Sequence, residues 1–277
     1  MTVRTALEQG ARILSEASIP VPRLTAEVLL AYAVRNDRAW LYAHSTDELT
    51  EVAWIHYGRY LKERLDGKPT QYITRRQEFY GRDFIVSPAV LIPRPETEHV
   101  IETALEKLPG AGPGAIVDVG CGSGAIAITL ALESGRPVIA TDISAPALAV
   151  AARNRDALAA PVSLAACDLT GALASRTAAL IASNPPYVPL TDHPSLQREV
   201  VDFEPHIALF GGPDGMAIYN RLIADAARVL KPGGWLVMEV AYNSDARVRE
   251  LLAANFTDIE MRTDLAGLPR VVAGRLR

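Results

Sequence analysis

The sequence predicts an α/β protein: a small helical bundle, then a β-hairpin linker, then a larger region built on a mostly parallel sheet. Two observations support this. Apolar residues recur at helical spacing through residues 1–68, whereas short apolar strands alternate with helices after residue 95. Alternation of that kind implies a parallel sheet covered by helices on both faces. The 277 residues are enough to bury a core in each part.

Three helices are expected at the amino end. Pro20 and Pro22 separate the first two. The third covers residues 50–65, where Thr50 suits an N-cap and Gly67 a C-terminal stop. A bundle of this kind either packs as a structural element or docks a partner, and its composition favours neither.

The pattern changes over residues 69–95. Aromatic and β-branched side chains such as Tyr72, Ile73 and Phe79 are frequent, and Gly81 interrupts them. This pattern predicts a short hairpin or bulged strand pair that links two domains. We therefore expect an N-terminal domain over residues 1–68, a linker over 69–95 and a larger domain over 96–277.

The larger domain is predicted from its alternation of strands and helices. Strands are expected at 115–119, 137–141, 162–166, 178–182, 235–240, 258–262 and 270–275, and helices at 99–108, 125–132, 146–158, 219–230 and 247–254. The run Lys231–Gly234 is expected to form a turn before the fifth strand. The last two strands are expected to pair with each other.

The charges are unevenly distributed, and the net charge is −4. Residues 1–69 carry nine basic and nine acidic side chains, residues 70–95 four basic and two acidic, and residues 96–277 fifteen basic and twenty-one acidic. The acidic balance of the larger domain does not favour indiscriminate binding to nucleic-acid phosphates.

Several classes of protein are excluded by what the sequence lacks. No apolar run approaches the ~20 residues that span a bilayer. The two cysteines, Cys121 and Cys167, form no CxxC pair, so we expect neither a disulfide framework nor a zinc ribbon, and we expect a cytoplasmic protein. The five histidines have no metal-ligand spacing, and neither a GxxxxGK[ST] loop nor a GxSxG elbow is present.

The strongest local signal is the glycine-rich run Gly120-Cys121-Gly122-Ser123-Gly124. It follows a predicted strand and opens a predicted helix, which is where a doubly wound sheet binds a nucleotide-like ligand. Its pattern is GxGxG and not the dinucleotide pattern GxGxxG. The run therefore predicts a turn at which the backbone approaches a ligand closely.

Two acidic residues follow later strands. Asp142 ends the next strand, where a carboxylate can accept hydrogen bonds from both ribose hydroxyls. Together with the glycine run this indicates adenosine binding without a pyrophosphate, which points to S-adenosylmethionine as cofactor. Asp168, after the third strand, either accepts from the adenine amino group or caps the following turn, and both interpretations remain open.

The run Asn184-Pro185-Pro186-Tyr187 closes the fourth strand at the same edge of the sheet. The two prolines fix the backbone and leave carbonyls free to accept hydrogen bonds. The Asn184 oxygen and the Pro185 carbonyl can then hold an NH₂ group, and Tyr187 offers a flat face to a planar group. Methylation of a planar nitrogen needs such positioning more than it needs a strong base.

With these residues in place, the sequence resembles the HemK/PrmC family of release-factor glutamine methyltransferases. The matching stretches cover nearly the whole chain: Pro69–Ile73, Glu78–Gly81, Leu91–Glu98, the glycine run, Asp142, Asn184–Tyr187 and Phe203–Pro205. The tetrad NPPY alone is shared with DNA adenine and other nitrogen methyltransferases, but its combination with IPRPETE and GCGSG is much more specific.

The resemblance implies a seven-stranded, Rossmann-like S-adenosylmethionine-dependent methyltransferase domain behind a helical substrate-docking domain. It implies N5-methylation of the glutamine in the GGQ motif of bacterial class-1 peptide chain release factors, which supports translation termination. The implied cofactor-binding residues are Gly120, Cys121, Gly122, Ser123, Gly124, Asp142, Asp168, Leu169 and Asn184. The implied substrate-binding residues are Asn184, Pro185, Pro186 and Tyr187, of which Asn184, Pro185 and Tyr187 are the catalytic candidates.

The sequence departs from the family pattern at two positions. Arg75 stands where members often have glycine, and Leu169 stands where an aromatic ring often packs on adenine. Two other functions remain as alternatives. A nucleic-acid methyltransferase acting on adenine N6 or guanine N2 also suits NPPY, but the acidic larger domain and the absence of a long basic insert oppose it. A non-catalytic binding module leaves the presence of both motifs unexplained.

Overall fold

A computed structural model describes residues 1–277. The chain divides into two compact units, the first formed by residues 1–76 with 197–203 and the second by residues 77–196 with 204–277. The helices are α1 (Val3–Glu16), α2 (Pro22–Val34), α3 (Arg38–Ala43), α4 (Glu51–Leu65), α5 (Thr70–Thr74), α6 (Glu98–Lys107), α7 (Ala125–Ser134), α8 (Ala145–Ala157), α9 (Arg198–Phe203), α10 (His206–Leu209), α11 (Ala217–Val229) and α12 (Asp245–Ala253). The strands are β1 (Arg76–Phe79), β2 (Arg82–Ile85), β3 (Ala115–Val119), β4 (Val138–Asp142), β5 (Val162–Ala166), β6 (Ala178–Ser183), β7 (Leu230–Glu239), β8 (Phe256–Thr263) and β9 (Pro269–Leu276).

The first unit is helical, and side-chain caps define where its helices begin. Thr2, Asp37 and Thr50 each accept a hydrogen bond from the backbone N–H three residues later, which satisfies one of the unpaired donors of the first turn. The predicted cap at Thr50 is confirmed. Leucines from α1 to α3 and Tyr57 of α4 form its core. Helix α3 was not predicted, because six residues are too short to show a helical period.

The predicted linker is only partly a hairpin. Tyr72 and Ile73, expected in a strand, lie in helix α5, whose first turn is closed by hydrogen bonds from both backbone amides to the Pro69 carbonyl. Both side chains are buried, so tertiary packing outweighs their β propensity. The hairpin itself is confirmed but shorter, with β1 and β2 joined at Tyr80 and Gly81, which both have positive φ.

A seven-stranded sheet organises the second unit. The strand order is β5-β4-β3-β6-β7-β9-β8. The first five strands in this order are parallel, and β9 is antiparallel to both of its neighbours. The predicted parallel sheet and the predicted terminal strand pair are both confirmed. The run Lys231–Gly234 is not a separate turn, because it belongs to β7, where the pairing with β6 shifts register.

Helices cover both faces of this sheet, as predicted. One core cluster joins residues of α6, α7 and α8 to one face, and a second joins α11 and α12 to the other. Successive residues of β3 alternate between them, since Ile116 belongs to the first cluster and Val117 to the second. The central strand is therefore buried on both sides, which fixes its carboxyl end rigidly.

The order of the strands determines where a ligand can enter. Strands β4 and β6 flank β3 on opposite sides, so the chain changes direction across the sheet at β3. In open α/β sheets the crevice for ligands lies outside the carboxyl ends of the strands at such a point. None of the helices is both long and apolar enough to cross a membrane.

Candidate active site

A cavity of about 340 Å³ lies at the carboxyl ends of β3, β4 and β6. Its walls bring together nine of the residues predicted from the sequence: Gly120, Cys121, Gly122, Ser123, Asp142, Asp168, Leu169, Asn184 and Pro186. Gly124, Pro185 and Tyr187 do not line it. The three motifs thus meet at one place, although they are spread over 68 residues of the chain from Gly120 to Tyr187.

The glycine run forms a tight turn between β3 and α7. The backbone amides of Gly120 and Cys121 both donate to the Thr141 carbonyl of β4, at 2.9 Å each. Gly122 has a φ of 53° and its amide donates to Asp142 Oδ2 at 2.8 Å. A Cβ added at Gly120 or Gly122 would meet no atom within 4 Å, so the missing side chains leave room for a ligand at the cavity wall.

Gly124 has a different task from the other glycines of the run. It precedes α7 with a φ of 82°, and a Cβ there would come within 3.0 Å of Ile128 Cδ1 and 3.3 Å of Ala151 Cβ. Gly124 therefore allows α7 and α8 to pack closely behind the turn. Its contribution to the cavity is indirect.

Asp142 holds the turn in place. Its Oδ2 accepts from Gly122, and its Oδ1 accepts from the backbone amide of Ser144 at 2.8 Å. An ionised carboxylate has about four lone-pair positions, so each oxygen can still accept one further hydrogen bond. The carboxylate thus organises the loop and keeps capacity for a ligand.

Asp168 and Leu169 form another part of the wall. Asp168 Oδ2 makes an ion pair with Arg221 of α11, which also lines the cavity. Leu169 has a φ of 46° and its carbonyl accepts from the hydroxyl of Thr141 at 2.8 Å. Arg221 was not singled out from the sequence, because it lies 53 residues beyond Asp168 along the chain.

Asn184 follows β6 and reaches the cavity with an oriented amide. Its Nδ2 donates to Thr97 Oγ1 at 3.0 Å, and Thr97 Oγ1 in turn donates to Glu239 Oε2 at 2.6 Å. Thr97 and Glu239 are 4% and 2% exposed. Thr97 belongs to the IPRPETE run, but Glu239 is at the end of β7 and was not singled out from the sequence.

Tyr187 is held by the same carboxylate. Its hydroxyl donates to Glu239 Oε1 at 3.0 Å, and its ring packs against the core cluster that contains α11 and α12. The ring is half-buried and its polar end is fixed by this hydrogen bond. Burial raises the pKa of the Tyr187 hydroxyl, so it remains a donor.

Two further segments complete the surroundings. Residues 89–93 and 205–208 contribute a mostly apolar wall, and Glu204 ties them together by accepting from the Ile92 amide and from Arg94. Residues 210–215 pack against the tetrad, where a Cβ on Gly211 would meet the Pro186 carbonyl at 2.6 Å. This packing accounts for glycine at position 211.

Burial controls the titratable groups near the glycine run. Asp118 is fully buried, its Oδ2 accepts from the Ala127 amide at 3.0 Å, and burial raises its pKa to about 8. Burial, with the nearby Asp118 and Asp142, also raises the pKa of the Cys121 thiol. A protonated thiol is a poor nucleophile, so Cys121 is a packing residue and not a reactive one.

The residues present fit an adenosine-bearing cofactor. The glycine turn leaves backbone space, Asp142 keeps acceptor capacity, and Ile143 and Leu169 add apolar surface to the cavity. Fold and site together define the chain as a Rossmann-like, S-adenosylmethionine-dependent methyltransferase. Two family models agree: one described as the PrmC N-terminal domain matches residues 5–74, and one described as the methyltransferase small domain matches residues 100–202.

Individual relatives are similar over almost the entire chain. The release factor glutamine methyltransferase of Koribacter versatilis is 47% identical and covers 99% of this chain and 99% of its own length. The enzyme of the same name from Nitratidesulfovibrio vulgaris is 41% identical over 99% of this chain and 95% of its own. The chain belongs to the release factor glutamine methyltransferase family.

Solved structures with low sequence identity share the fold. A methyltransferase from Pyrococcus furiosus aligns with a TM-score of 0.52 at 17% identity, covering 71% of this chain and 90% of that one. The T. thermophilus 16S rRNA N2 G1207 methyltransferase aligns with a TM-score of 0.53 at 19% identity, covering 73% and 50%. These two likenesses support the architecture and carry no argument about the substrate.

Proposed function

We propose that this chain transfers a methyl group from S-adenosylmethionine to N5 of the glutamine in the GGQ motif of bacterial class-1 release factors, supporting translation termination. The observation that carries the proposal is the Asn184 amide, which is oriented by Thr97 in the wall of the same cavity as the glycine turn. The names of relatives that match 99% of the chain support the choice of substrate.

The proposed cofactor site uses the residues around β3 and β4. Asp142 would accept from the ribose hydroxyls with its remaining lone pairs, and Asp168 and Leu169 would lie beside the adenine. The turn from Gly120 to Gly124 would admit the cofactor close to the backbone. When bound, S-adenosylmethionine supplies a methyl group made electrophilic by its positive sulfur.

The proposed acceptor site is the tetrad. Asn184 Oδ1 and the Pro185 carbonyl would accept the two hydrogens of the glutamine amide, and the Tyr187 ring would pack on its plane. An amide nitrogen is a weak nucleophile because its lone pair is delocalised. Holding both hydrogens turns the nitrogen toward the methyl carbon, and such positioning contributes several kcal/mol in principle.

The helical unit is proposed to recognise the protein substrate. Residues 1–68 carry no net charge and contain no catalytic sequence motif. All the residues that line the cavity belong to the second unit. We therefore assign to residues 1–68 the docking of the release factor. A stable nucleic-acid partner is not part of this proposal, and the reaction is placed in the cytoplasm.

A methyl-transfer assay tests the proposal directly. Radiolabelled S-adenosylmethionine is offered with release factor, duplex DNA or RNA, and a release factor whose GGQ glutamine is replaced by alanine serves as control. We expect label in the intact release factor only. Label in DNA or RNA would instead support the nucleic-acid alternative, and label in the alanine variant would contradict the proposed acceptor atom.

A further inference from the structure

A chain of hydrogen bonds runs from the cavity into the core behind it. Asn184 Nδ2 donates to Thr97 Oγ1 at 3.0 Å, Thr97 Oγ1 donates to Glu239 Oε2 at 2.6 Å, and Tyr187 donates to Glu239 Oε1 at 3.0 Å. Two of the four tetrad residues are thereby connected to one carboxylate. The function proposed above uses Thr97 only as the observed partner of Asn184, and it gives Glu239 no role.

The direction of each bond follows from the number of protons available. Both Glu239 oxygens already accept from hydroxyls, so an ionised carboxylate satisfies this arrangement. The Thr97 hydroxyl has a single proton, which it gives to Glu239, and it can therefore only accept from Asn184. An Asn184 amide that presents NH₂ to Thr97 must present its oxygen on the other side.

Burying the Glu239 carboxylate costs folding free energy, which suggests that the residue does more than pack. The residue is 2% exposed and its carboxylate makes no salt bridge; Arg270 acts on it only over a longer distance, and its side-chain partners are the two hydroxyls. Burying a carboxylate without a cation is unfavourable, and an apolar residue would normally stabilise such a place better. Its two partners are a tetrad tyrosine and the threonine that orients the tetrad asparagine.

We propose that Thr97 and Glu239 are positioning residues that fix the polarity of the Asn184 amide, so that its oxygen faces the acceptor nitrogen. This inference rests on the proposed function, because it concerns the same acceptor site. Without the Thr97 hydroxyl the Asn184 amide can turn over and present NH₂ to the substrate NH₂, which repels it. The same carboxylate fixes the Tyr187 ring through its hydroxyl.

Three threonine variants separate positioning from packing. Thr97→Val keeps the shape and removes the hydroxyl, whereas Thr97→Ser restores it. Thr103→Val is the matched control, because Thr103 is also buried but donates only to the His99 carbonyl within α6. Single-turnover methylation of release factor is measured at saturating cofactor, together with cofactor affinity by calorimetry.

We expect Thr97→Val to lower the single-turnover rate about 10-fold or more, as loss of a buried hydrogen bond that acts in the transition state does. Thr97→Ser and Thr103→Val should remain within about 3-fold of the parent. The first keeps the hydroxyl that donates to Glu239, and the second removes a hydroxyl that donates only to the His99 carbonyl. Cofactor affinity should be unchanged in all three variants. A parental rate in Thr97→Val, or a rate loss matched by an equal loss of cofactor affinity, overturns the inference.

Glu239→Gln provides an independent arm should Thr97→Val fail to fold. Thr97 and Tyr187 donate to different oxygens of Glu239, and in a glutamine one of these positions becomes an NH₂ that cannot accept. We expect a rate loss at constant cofactor affinity, and a parental rate would overturn the role of Glu239. The parent enzyme separates the two proposals: if it does not methylate release factor, the proposed function fails, whereas an active parent with unaffected variants refutes only the positioning role.

Discussion

Asn184 is the residue on which the proposed chemistry depends most directly. Its Nδ2 is committed to Thr97, so its oxygen is the group left for a substrate amide. We expect Asn184→Ala to lower methyl transfer by roughly two orders of magnitude, about 3 kcal/mol of barrier. Single-turnover kinetics at saturating cofactor measures this. Asn184→Asp keeps an acceptor for the substrate amide but adds a charge and loses the donor to Thr97, so we expect a rate between those of the parent and Asn184→Ala. Near-parental rates in Asn184→Ala would eliminate the amide clamp.

Asp142 acts on the cofactor and on the loop at once. Because it accepts from Gly122 and Ser144, its loss releases the glycine turn as well as the ribose. We expect Asp142→Ala to weaken S-adenosylmethionine binding by more than ~1.5 kcal/mol, since charge-assisted hydrogen bonds are lost. Calorimetric titration measures the affinity, and a thermal melt checks that the protein stays folded. Unchanged affinity would argue against the ribose role.

Asp118 makes stability depend on pH. Burial raises its pKa to about 8 in the folded protein, whereas the ordinary value is 3.8. Between pH 3.8 and pH 8 the folded state therefore keeps a proton on Asp118 that the unfolded state has released. The stability that Asp118 contributes is full at low pH and is lost as the pH rises toward 8. We expect Asp118→Asn to flatten the pH dependence of the free energy of unfolding over that window. Urea titrations of both proteins from pH 5 to 8 give the free energy of unfolding at each pH. If this free energy changed with pH equally in the parent and in Asp118→Asn, the prediction would be contradicted.

The two glycines that flank helix α7 allow backbone strain to be distinguished from steric crowding. Gly124 precedes the helix and Gly135 follows it, and both have positive φ, but only a Cβ at Gly124 meets other atoms. We expect Gly124→Ala to destabilise the protein by about 2 kcal/mol or more, and Gly135→Ala by about 1 kcal/mol, from strain alone. Urea denaturation compares the two. Equal losses would show that Gly124 is needed only for its φ.

Local patterns predicted the elements that carry the site and failed where distant contacts decide. The ends of β3, β4 and β6 were predicted because their signal is local. Each is a short apolar strand followed directly by a glycine-rich, acidic or proline-rich run, and the whole pattern fits within about ten residues. Thr97 and Arg221 could not be placed beside these ends, because their pairing with Asn184 and Asp168 spans 87 and 53 residues. Helix α5 was mistaken for a strand because Tyr72 and Ile73 favour strands locally, and only tertiary packing outweighs that preference.

The division of the whole molecule shows the same limit. Residues 197–203 lie between the tetrad and Glu204 in sequence, yet they belong to the first unit. Within that unit Arg64 is 6% exposed and makes an ion pair with Glu199 of α9. The Arg64 guanidinium is buried whereas the Glu199 carboxylate is partly exposed, so removing Glu199 would leave a buried charge without this partner and destabilise the unit. The sequence predicted boundaries near residues 68 and 95 and no later return of the chain to the first unit, because nothing in residues 197–203 marks them as part of a distant bundle.

Truncation tests the docking role of the helical unit. A chain beginning at Pro69 keeps every residue that lines the cavity, so we expect it to bind S-adenosylmethionine. It loses the first four helices, and Glu199 loses Arg64. We therefore expect poor methylation of intact release factor, because the protein substrate is no longer held.

The control for this truncation is a short peptide that contains the GGQ sequence. A peptide is too small to use a separate docking unit, so the parent and the truncated chain should methylate it at similar rates when both are saturated with cofactor. The comparison separates docking from catalysis, because damage to the cavity would lower the methylation rates of the peptide and of intact release factor equally. Full activity of the truncated chain on intact release factor would show that residues 1–68 stabilise the protein and do not recognise its substrate.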